Sequence, residues 1–428
     1  MADDAPESHP PFSAAPYPID HGLGRSGSRV GLVLSGGGMR GAYEAGLLAG
    51  LVEVLGLDEG DAPPFGIFAG TSVGAINATY YAANTHRGTL GADGLTQIYR
   101  NLSLDQHLRL SPMGMLPGTR TLARARTWLT GVLPERGGHS VLDPRPLEQL
   151  VERSVVWERL HDNVQKGRAR ALLVAALDVA SGRTVIFGEL SPLARYRASN
   201  DPRRSFTAEA ITAEHVLASA AIPVLFPTRR VGTAYYCDGG LRFNTPIAPA
   251  IRAGASKLVV ISLLSQRELP PPGSVVVETD PSPAFLAGKL LNALLLDPVN
   301  YDLQVLDRLN KLFETFEGSL SPAALAEVQR TLIDTRGAPY RRIETLVFRP
   351  TADIGRIAGK HVGRALSRFT GGSIARRYLR RKGPESSLVE ADLASYLLFD
   401  GEFAAELIDL GCHDAHARAE DIRRFFQA

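Results

Sequence analysis

Two strand–turn–helix units follow one another near the start of the sequence, and they constrain the fold more than any other feature. The apolar run Val30–Leu34 leads into SGGGMRG, after which apolar residues recur at helical spacing as far as Leu55. The pattern repeats with an apolar run at Phe65–Ala69, a glycine turn at Gly70–Gly74 and a helical pattern at Ala75–Ala83. Strands that alternate with helices usually lie side by side in a parallel sheet. The sequence therefore predicts an α/β fold with a mostly parallel central sheet.

The turn of the second unit reads GTSVG at residues 70–74, a G-x-S-x-G pentapeptide between a predicted strand and a predicted helix. In this context the pattern is typical of a nucleophile elbow, a turn so tight that small residues must flank the serine. The pentapeptide alone is weak evidence, because glycine and serine are common in ordinary turns. Its position between strand and helix favours Ser72 as a nucleophile.

The turn of the first unit, GGGMRG at residues 36–41, also joins a predicted strand to a predicted helix. Glycines let the backbone approach a ligand closely, and the N–H groups that open a helix point toward negative charge. Two functions fit this loop: a phosphate cradle for a nucleotide, or an oxyanion hole for acyl transfer. The G-x-G-x-x-G fingerprint is weak by itself, and no Gly-Lys-Ser/Thr sequence ends the loop. A plain glycine turn fits less well with three consecutive glycines followed by Arg40.

A serine nucleophile needs a base, and histidine is the usual one. None of the ten histidines follows a predicted strand in a glycine-flanked turn. Asp238 does, because it follows the predicted strand Ala234–Cys237 and precedes Gly239 and Gly240. A carboxylate with the ordinary pKa of ~3.9 is a poor base, so the site would have to raise that pKa. Taken alone, Asp-Gly-Gly is also a common turn sequence.

Four motifs occur in a fixed order along the chain: GGGMRG at 36–41, GTSVG at 70–74, ASAAIP at 218–223 and DGG at 238–240. Asn244-Thr245-Pro246 follows them. Together they resemble the ordered signature of the patatin-like phospholipases, over roughly residues 30–264. The resemblance implies a three-layer α/β/α fold with a mostly parallel sheet. Beyond about residue 270 it implies a largely helical C-terminal extension, as in bacterial members.

The resemblance also implies a catalytic dyad of Ser72 and Asp238 without histidine, and it implies neither a cofactor nor a metal ion. Ser72 would attack the acyl-ester carbonyl, while Asp238 accepts its proton and later activates water. Backbone N–H groups would hold the oxyanion, and other residues of the motifs would support the two loops. The predicted oxyanion hole comprises Gly36, Gly37, Gly38 and Val73, and the predicted supporting residues are Arg40, Gly41, Gly70, Gly74, Gly239 and Gly240. For Arg40 three roles are open: orienting the loop, contacting a lipid phosphate, or an ordinary ion pair.

The sequence divides into three predicted parts. They are a disordered arm at 1–28, rich in Pro, Ser, Gly and Ala, a catalytic domain at 29–268 and a mostly helical region at 273–428. The polar segment 85–141 has the composition of an insertion or lid. Additional predicted elements are helical patches at 95–102 and 121–130, strands at 171–179, 184–187, 234–237, 257–264 and 345–348, and a helix at 216–221. The apolar stretch Pro283–Leu296 predicts a core helix, with a partly exposed lid as the alternative.

The formal net charge of +2 argues against a nucleic-acid binder, for which a strongly basic domain is expected. It hides an uneven distribution: residues 336–382 carry 13 Lys or Arg against two acidic residues, whereas 383–428 have a net charge of −7. The basic segment could dock on an anionic membrane, where each basic residue contributes ~1 kcal/mol. Pairing of this segment with the acidic tail is the simpler alternative.

The sequence contains two cysteines and no pattern typical of a secretory signal or a membrane span. We therefore expect a cytoplasmic protein that is at most peripheral at a membrane. The favoured function is hydrolysis of lipid acyl esters, of the phospholipase A or lysophospholipase type. Triacylglycerol, thioesters or small soluble esters are alternative substrates. A catalytically silent lipid-binding protein and, more remotely, a nucleotide-binding protein are the alternatives of another class.

Overall fold

The computed structural model describes residues 29–107, 140, 142–265, 283–295, 298–336, 339–368 and 391–427. The predicted arm at 1–28, the predicted helical patch at 121–130 and most of the segment 85–141 lie outside the described residues. The described strands are β1 (Val30–Leu34), β2 (Ile67–Thr71), β3 (Ala171–Asp178), β4 (Thr184–Leu190), β5 (Arg204–Ala208), β6 (Arg229–Val231), β7 (Ala234–Asp238), β8 (Lys257–Ile261) and β9 (Glu344–Phe348).

The described α-helices that precede β8 are α1 (Gly41–Leu55), α2 (Val73–Ala83), α3 (Thr89–Arg100), α4 (Leu104–His107), α5 (Arg145–Ser154), α6 (Trp157–Gln165), α7 (Ala213–Ser219) and α8 (Ile247–Arg252). Those that follow are α9 (Pro283–Leu295), α10 (Pro298–Ser319), α11 (Pro322–Arg336), α12 (Ile354–Arg368), α13 (Ala391–Leu397), α14 (Gly401–Ala417) and α15 (Ala419–Gln427). Within the described residues, no helix is both long and apolar enough to cross a bilayer.

The strands form one sheet in the order β5-β4-β3-β2-β1-β8-β9, and β7 joins it through β3. The pairs β3–β2, β2–β1, β1–β8 and β8–β9 are parallel, whereas β3 is antiparallel to both β4 and β7. Leu32 and Leu34 belong to the apolar cluster on one face of the sheet, and Val33 belongs to the cluster on the other. Helices therefore cover both faces, which explains why the central strands read as continuous apolar runs. The predicted mostly parallel α/β fold is confirmed.

Several element boundaries differ from the predicted ones, each for a local reason. β2 extends to Thr71 because Gly70 and Thr71 still pair with Val174 and Ala175 of β3. α7 begins three residues early, since Thr212 and the side chain of His215 form a capping box at its start. The sequence did not predict β5 and β6. β5 is an edge strand with mostly exposed, polar residues, so it lacks the apolar alternation that identifies a half-buried strand.

The C-terminal region contributes a strand to the sheet and a helix to the hydrophobic core on one of its faces. β9 pairs in parallel with β8, and α14 packs along α1. Glycines make this helix contact unusually close: a Cβ at Gly46 would lie 2.0 Å from the Ile408 carbonyl oxygen, and one at Gly411 would lie 2.3 Å from that of Tyr43. Two helix backbones thus touch where any larger side chain would separate them.

Replacing Gly46 with alanine should destabilise the protein, although alanine is the better helix former. The new Cβ would force α1 and α14 apart, and such overpacking typically costs about 1–3 kcal/mol. Gly363 provides the matched control, because it lies in α12 with nothing within 4 Å of its added Cβ. Gly363→Ala should stabilise by about 0.5–1 kcal/mol. Thermal unfolding of both variants measures the difference, and equal shifts would contradict the close helix contact.

Candidate active site

Ser72 alone makes the turn between β2, which ends at Thr71, and α2, which begins at Val73. Its backbone has φ 56° and ψ −128°, a left-handed conformation that a residue with a side chain rarely adopts. The flanking glycines are required by close contacts: a Cβ at Gly70 would lie 2.2 Å from the Gly74 oxygen, and one at Gly74 would lie 2.4 Å from the Leu34 oxygen. The pentapeptide has the strained strand-to-helix geometry of a nucleophile elbow.

Ser219 holds this strained turn in place from α7. Its hydroxyl oxygen accepts a hydrogen bond from the Ser72 N–H at 2.8 Å and donates to the Ala175 carbonyl oxygen at 2.6 Å. The side chain is fully buried, so both bonds are made away from water. Ser219 lies within the ASAAIP motif at 218–223, but the sequence alone indicated no role for it. Its position in a short segment of small residues was the only signal.

The pairing of β3 brings Asp238 to the elbow. Thr71, the last residue of β2, pairs with Ala175 of β3, and Asp238, the last residue of β7, pairs with Ala176. β4 occupies the other edge of β3 at these positions, so β2 and β7 share one edge and meet end to end. The residues that close the two strands, Ser72 and Asp238, are thereby placed next to each other.

The carboxyl group of Asp238 is fully buried, and burial raises its pKa to about 7. Hydrogen bonds from the Ser72 hydroxyl and from the Gly240 N–H lower the pKa again, but by less than burial raises it. Oδ1 accepts the Gly240 N–H at 2.7 Å, whereas Oδ2 has no close partner of good geometry among the described residues. The Ser72 contact with this carboxyl group is thus a loose one.

The glycine loop lies against Asn244, which follows the Asp-Gly-Gly motif. The Gly36 N–H donates to the Asn244 side-chain oxygen at 3.0 Å, and the Asn244 amide donates back to the Gly36 carbonyl at 3.2 Å. The N–H group of Gly36, which was predicted as an oxyanion donor, therefore donates its hydrogen bond to Asn244 in this structure. Among the described residues, no acceptor is assigned to the N–H groups of Gly37, Gly38 or Val73.

A buried polar network that the sequence analysis missed connects the two glycine motifs. Glu44 of α1 accepts hydrogen bonds from the Ser35 N–H at 3.0 Å and from the Asn77 amide of α2 at 2.8 Å. Asn77 also accepts from the Tyr99 hydroxyl at 2.9 Å. Burial raises the pKa of Glu44 well above its usual range. The available signal was a lone acidic residue on the apolar face of a helix that follows a glycine loop.

Arg40 is buried and faces the C-terminal region. Its Nε donates to the Ser395 hydroxyl at 2.7 Å and its Nη2 to the Asn292 side-chain oxygen at 3.0 Å. The guanidinium lies 4.3 Å above the centre of the Tyr396 ring, and an Asp392 carboxylate oxygen lies 3.8 Å from Nη2. These contacts place the charge inside the protein and leave it no access to a lipid phosphate in this state.

A cavity of about 780 Å³, counting the part open to solvent, begins at Ser72. Its walls are almost entirely apolar or aromatic, and no described histidine contributes to them. The lining residues are Gly38, Met39, Ser72, Val73, Ile76, Asn77, Tyr80, Leu95, Ile98, Tyr99, Leu102, Leu147, Leu150, Val151, Ser154, Val155, Ala220, Ile222, Phe226, Tyr396, Leu397 and Phe399. Asp238, behind Ser72, does not line it.

Two groups of side chains within the described residues could in principle hold a metal ion. One comprises Glu53, Cys412 and His416, and the other His361, Asp400 and Glu402. None of these residues lines the cavity at Ser72. The candidate site is therefore built from Ser72, Asp238 and backbone N–H groups beside an apolar cavity.

A mostly parallel sheet with helices on both faces and a polar cluster at the carboxyl ends of its strands defines the class of α/β proteins. The family model of the patatin-like phospholipases matches residues 32–251, about half of the chain. The chain belongs to the patatin-like phospholipase family.

A cGAMP-activated phospholipase from Pseudomonas aeruginosa (strain BWHPSA011 / Pa011) is 30% identical over 217 residues. The match covers 50% of this chain and 53% of that protein, so the chain spans about half the length of this relative. The crystal structure of VipD from Legionella pneumophila is similar over 90% of this chain and 67% of that chain, with 15% sequence identity and a TM-score of 0.33.

Ser219→Ala should destabilise the elbow, because it leaves the Ser72 N–H and the Ala175 carbonyl without their buried partner. We expect a loss of about 1–3 kcal/mol in the free energy of unfolding. Ser191 is the matched control, since it is equally buried but its hydroxyl has no hydrogen-bond partner among the described residues. Ser191→Ala should change stability little. Denaturant titration of both variants makes the comparison, and equal effects would remove the role assigned to Ser219.

Proposed function

We propose that the protein hydrolyses acyl-ester bonds of lipids, as a phospholipase A or lysophospholipase, with Ser72 as nucleophile and Asp238 as base. The observation that carries this proposal is the buried Asp238 carboxyl, whose pKa is raised to about 7, placed behind an elbow serine that opens into an apolar cavity. A base with a pKa near the working pH combines the correct protonation state with a useful driving force. Family membership and a relative named as a phospholipase support the lipid substrate.

In the acylation step, Ser72 Oγ bonds to the ester carbonyl carbon while its proton moves to Asp238. The carbonyl oxygen takes up the negative charge and is held by the N–H groups of Gly37, Gly38 and Val73. Such preorganised donors stabilise the charge that develops in the transition state. The intermediate then breaks the bond to the alcohol oxygen. The alcohol leaves with the proton from Asp238, and an acyl group remains on Ser72.

In the deacylation step, water replaces the alcohol. Asp238 accepts a proton from the water as its oxygen bonds to the acyl carbon, and the same N–H groups hold the second oxyanion. Cleavage of the acyl bond to Ser72 returns the proton to Oγ and releases a carboxylic acid. The apolar cavity would hold the acyl chain during both steps. Arg40, Gly41, Gly70, Gly74, Gly239 and Gly240 are proposed to keep the two loops in shape.

The basic segment 336–382 is described only as far as residue 368, and three of its described cations have partners within the protein. Arg342 lies 3.4 Å from Glu314, and Lys360 lies 3.6 Å from Glu406 of the acidic tail. Arg341 donates to the carbonyl oxygens of Ile251 and Ala255. We therefore assign membrane contact to another surface below.

Ser72→Ala should abolish both ester hydrolysis and covalent labelling by a fluorophosphonate probe, because it removes the hydroxyl group that is proposed to form the acyl bond. The wild type and this variant are incubated with a mixed lipid extract, and released fatty acids and lysolipids are identified by mass spectrometry. Fatty acids and lysophospholipids from the wild type alone would support the proposal. Undiminished labelling of Ser72→Ala would contradict the nucleophile, and release from triacylglycerol alone would replace the substrate class.

The rate should depend on pH through Asp238. Only its charged form accepts a proton, so kcat/KM of the wild type should rise with pH through an apparent pKa of about 7 and then level off. Asp238→Asn should lower kcat by several orders of magnitude and remove this limb, since a dyad partner is lost. Hydrolysis of a soluble ester from pH 5 to 9 measures both. A limb that persists in Asp238→Asn would assign the titration to another group.

A further inference from the structure

Three aliphatic side chains project into solvent beside the cavity. Val224 is 71% exposed, and Leu286 and Leu290 of α9 are 55% and 60% exposed. The two leucines are four residues apart, so they lie on the same face of the helix. We call these three residues the apolar rim.

The two segments that carry the apolar rim adjoin the wall of the cavity. Ile222 and Phe226, on either side of Val224 in sequence, both line the cavity. Leu291, next to Leu290 on α9, is buried in a cluster with Ile222 and Tyr396, and Tyr396 lines the cavity as well. The exposed leucines thus belong to a helix that packs against the residues forming the cavity wall.

Val224 is held in its exposed position at a cost. Its φ is 72°, a left-handed conformation that is a genuine outlier for a β-branched residue. The Phe226 N–H donates to the Ile222 oxygen at 2.8 Å, and the Leu225 oxygen accepts the Leu142 N–H at 3.0 Å, so the surrounding turn is fixed. Strain of this kind clusters at functional sites. Here it presents an apolar side chain to solvent beside the cavity.

We propose that the apolar rim is a docking surface for the acyl layer of a lipid membrane, an inference that rests on the proposed lipid hydrolysis. An acyl chain that leaves a bilayer for the cavity must avoid crossing water. A rim that inserts between lipid tails joins the apolar interior of the membrane to the apolar cavity directly, so the chain stays desolvated throughout.

Among the described residues, the charge that lies between the two leucines of the apolar rim is compensated. Lys289, between the two leucines, lies 2.7 Å from an Asp392 carboxylate oxygen, and that carboxylate also faces Arg40. Docking through this surface therefore gains from apolar burial rather than from attraction to anionic headgroups. It should be nearly the same on zwitterionic and anionic vesicles and only weakly dependent on salt, unlike docking through a basic segment.

The test uses phosphatidylcholine vesicles, with Val224→Asn and the double variant Leu286→Ser/Leu290→Ser. Asparagine tolerates the left-handed conformation at 224, so that variant keeps the turn. Vesicle flotation is measured in the Ser72→Ala background, which leaves the lipid intact. We expect a loss of vesicle binding of about 10-fold or more for the leucine pair, from the apolar burial that is lost. Hydrolysis of a soluble short-chain ester by the same variants, with Ser72 restored, should stay within about twofold of wild type.

Leu193→Ser is the matched control. Leu193 is 69% exposed and follows β4. The last residue of β4 pairs with Ala171 at the start of β3, whereas the candidate site lies at the opposite end of that strand. This variant should bind vesicles like the parent. Equal binding by the rim variants and this control would overturn the proposal, as would a parallel loss of soluble-ester hydrolysis. A third outcome would also overturn it: the rim variants lose a concentration-dependent dimer but still bind vesicles like the parent. The apolar rim would then be an interface with a second copy of the chain. Vesicle flotation does not depend on hydrolysis, so it tests the docking surface alone. A failure of the proposed hydrolysis would be seen separately, in the soluble-ester assay.

Discussion

The pairing register of β3 is the constraint on which the candidate site depends. One edge of β3 pairs in parallel with β2 and then, one residue further on, antiparallel with β7. β2 and β7 run toward each other along this edge, so they end at neighbouring positions of β3. Asp238 is the last residue of β7 and Ser72 follows the last residue of β2, so the two residues lie next to each other. Because a slip of one residue would turn Asp238 to the opposite face of the sheet, main-chain hydrogen bonds fix the position of the carboxyl group.

The burial that raises the pKa of Asp238, the proposed base, also costs folding stability. Its folded-state pKa of about 7 exceeds the unfolded value of ~3.9, so the folded state binds more protons between these values. Stability contributed by the protonated form is therefore lost as pH rises through this window. Glu44, whose pKa is also raised by burial, adds to the same cost. The Ser219 and Asn77 hydrogen bonds offset part of it by satisfying the buried groups around both loops.

Much of this arrangement could be predicted from local sequence. The elbow, the glycine loop and the Asp-Gly-Gly turn each require particular small residues at fixed spacing, and such requirements are visible in the sequence. The partners of these motifs are not, because they come from distant positions: Asn244 contacts Gly36 across 208 residues, and Ser395 contacts Arg40 across 355. The raised pKa of Asp238 is likewise a property of packing. Sequence showed only that such a shift would be required.

The C-terminal region acts on the glycine loop in a way that no motif indicates. A Cβ at Gly38 would lie 2.4 Å from the Tyr396 carbonyl oxygen, so α13 touches the backbone that is proposed to hold the oxyanion. α9 and α13 together bind the Arg40 guanidinium two residues further on. Tyr396, Leu397 and Phe399 also form part of the cavity wall, and they lie well beyond residue 251, where the family match ends. The shape of the cavity is thus set partly by residues outside the segment that carries the family motifs, and so is the choice of acyl chain under the proposed function.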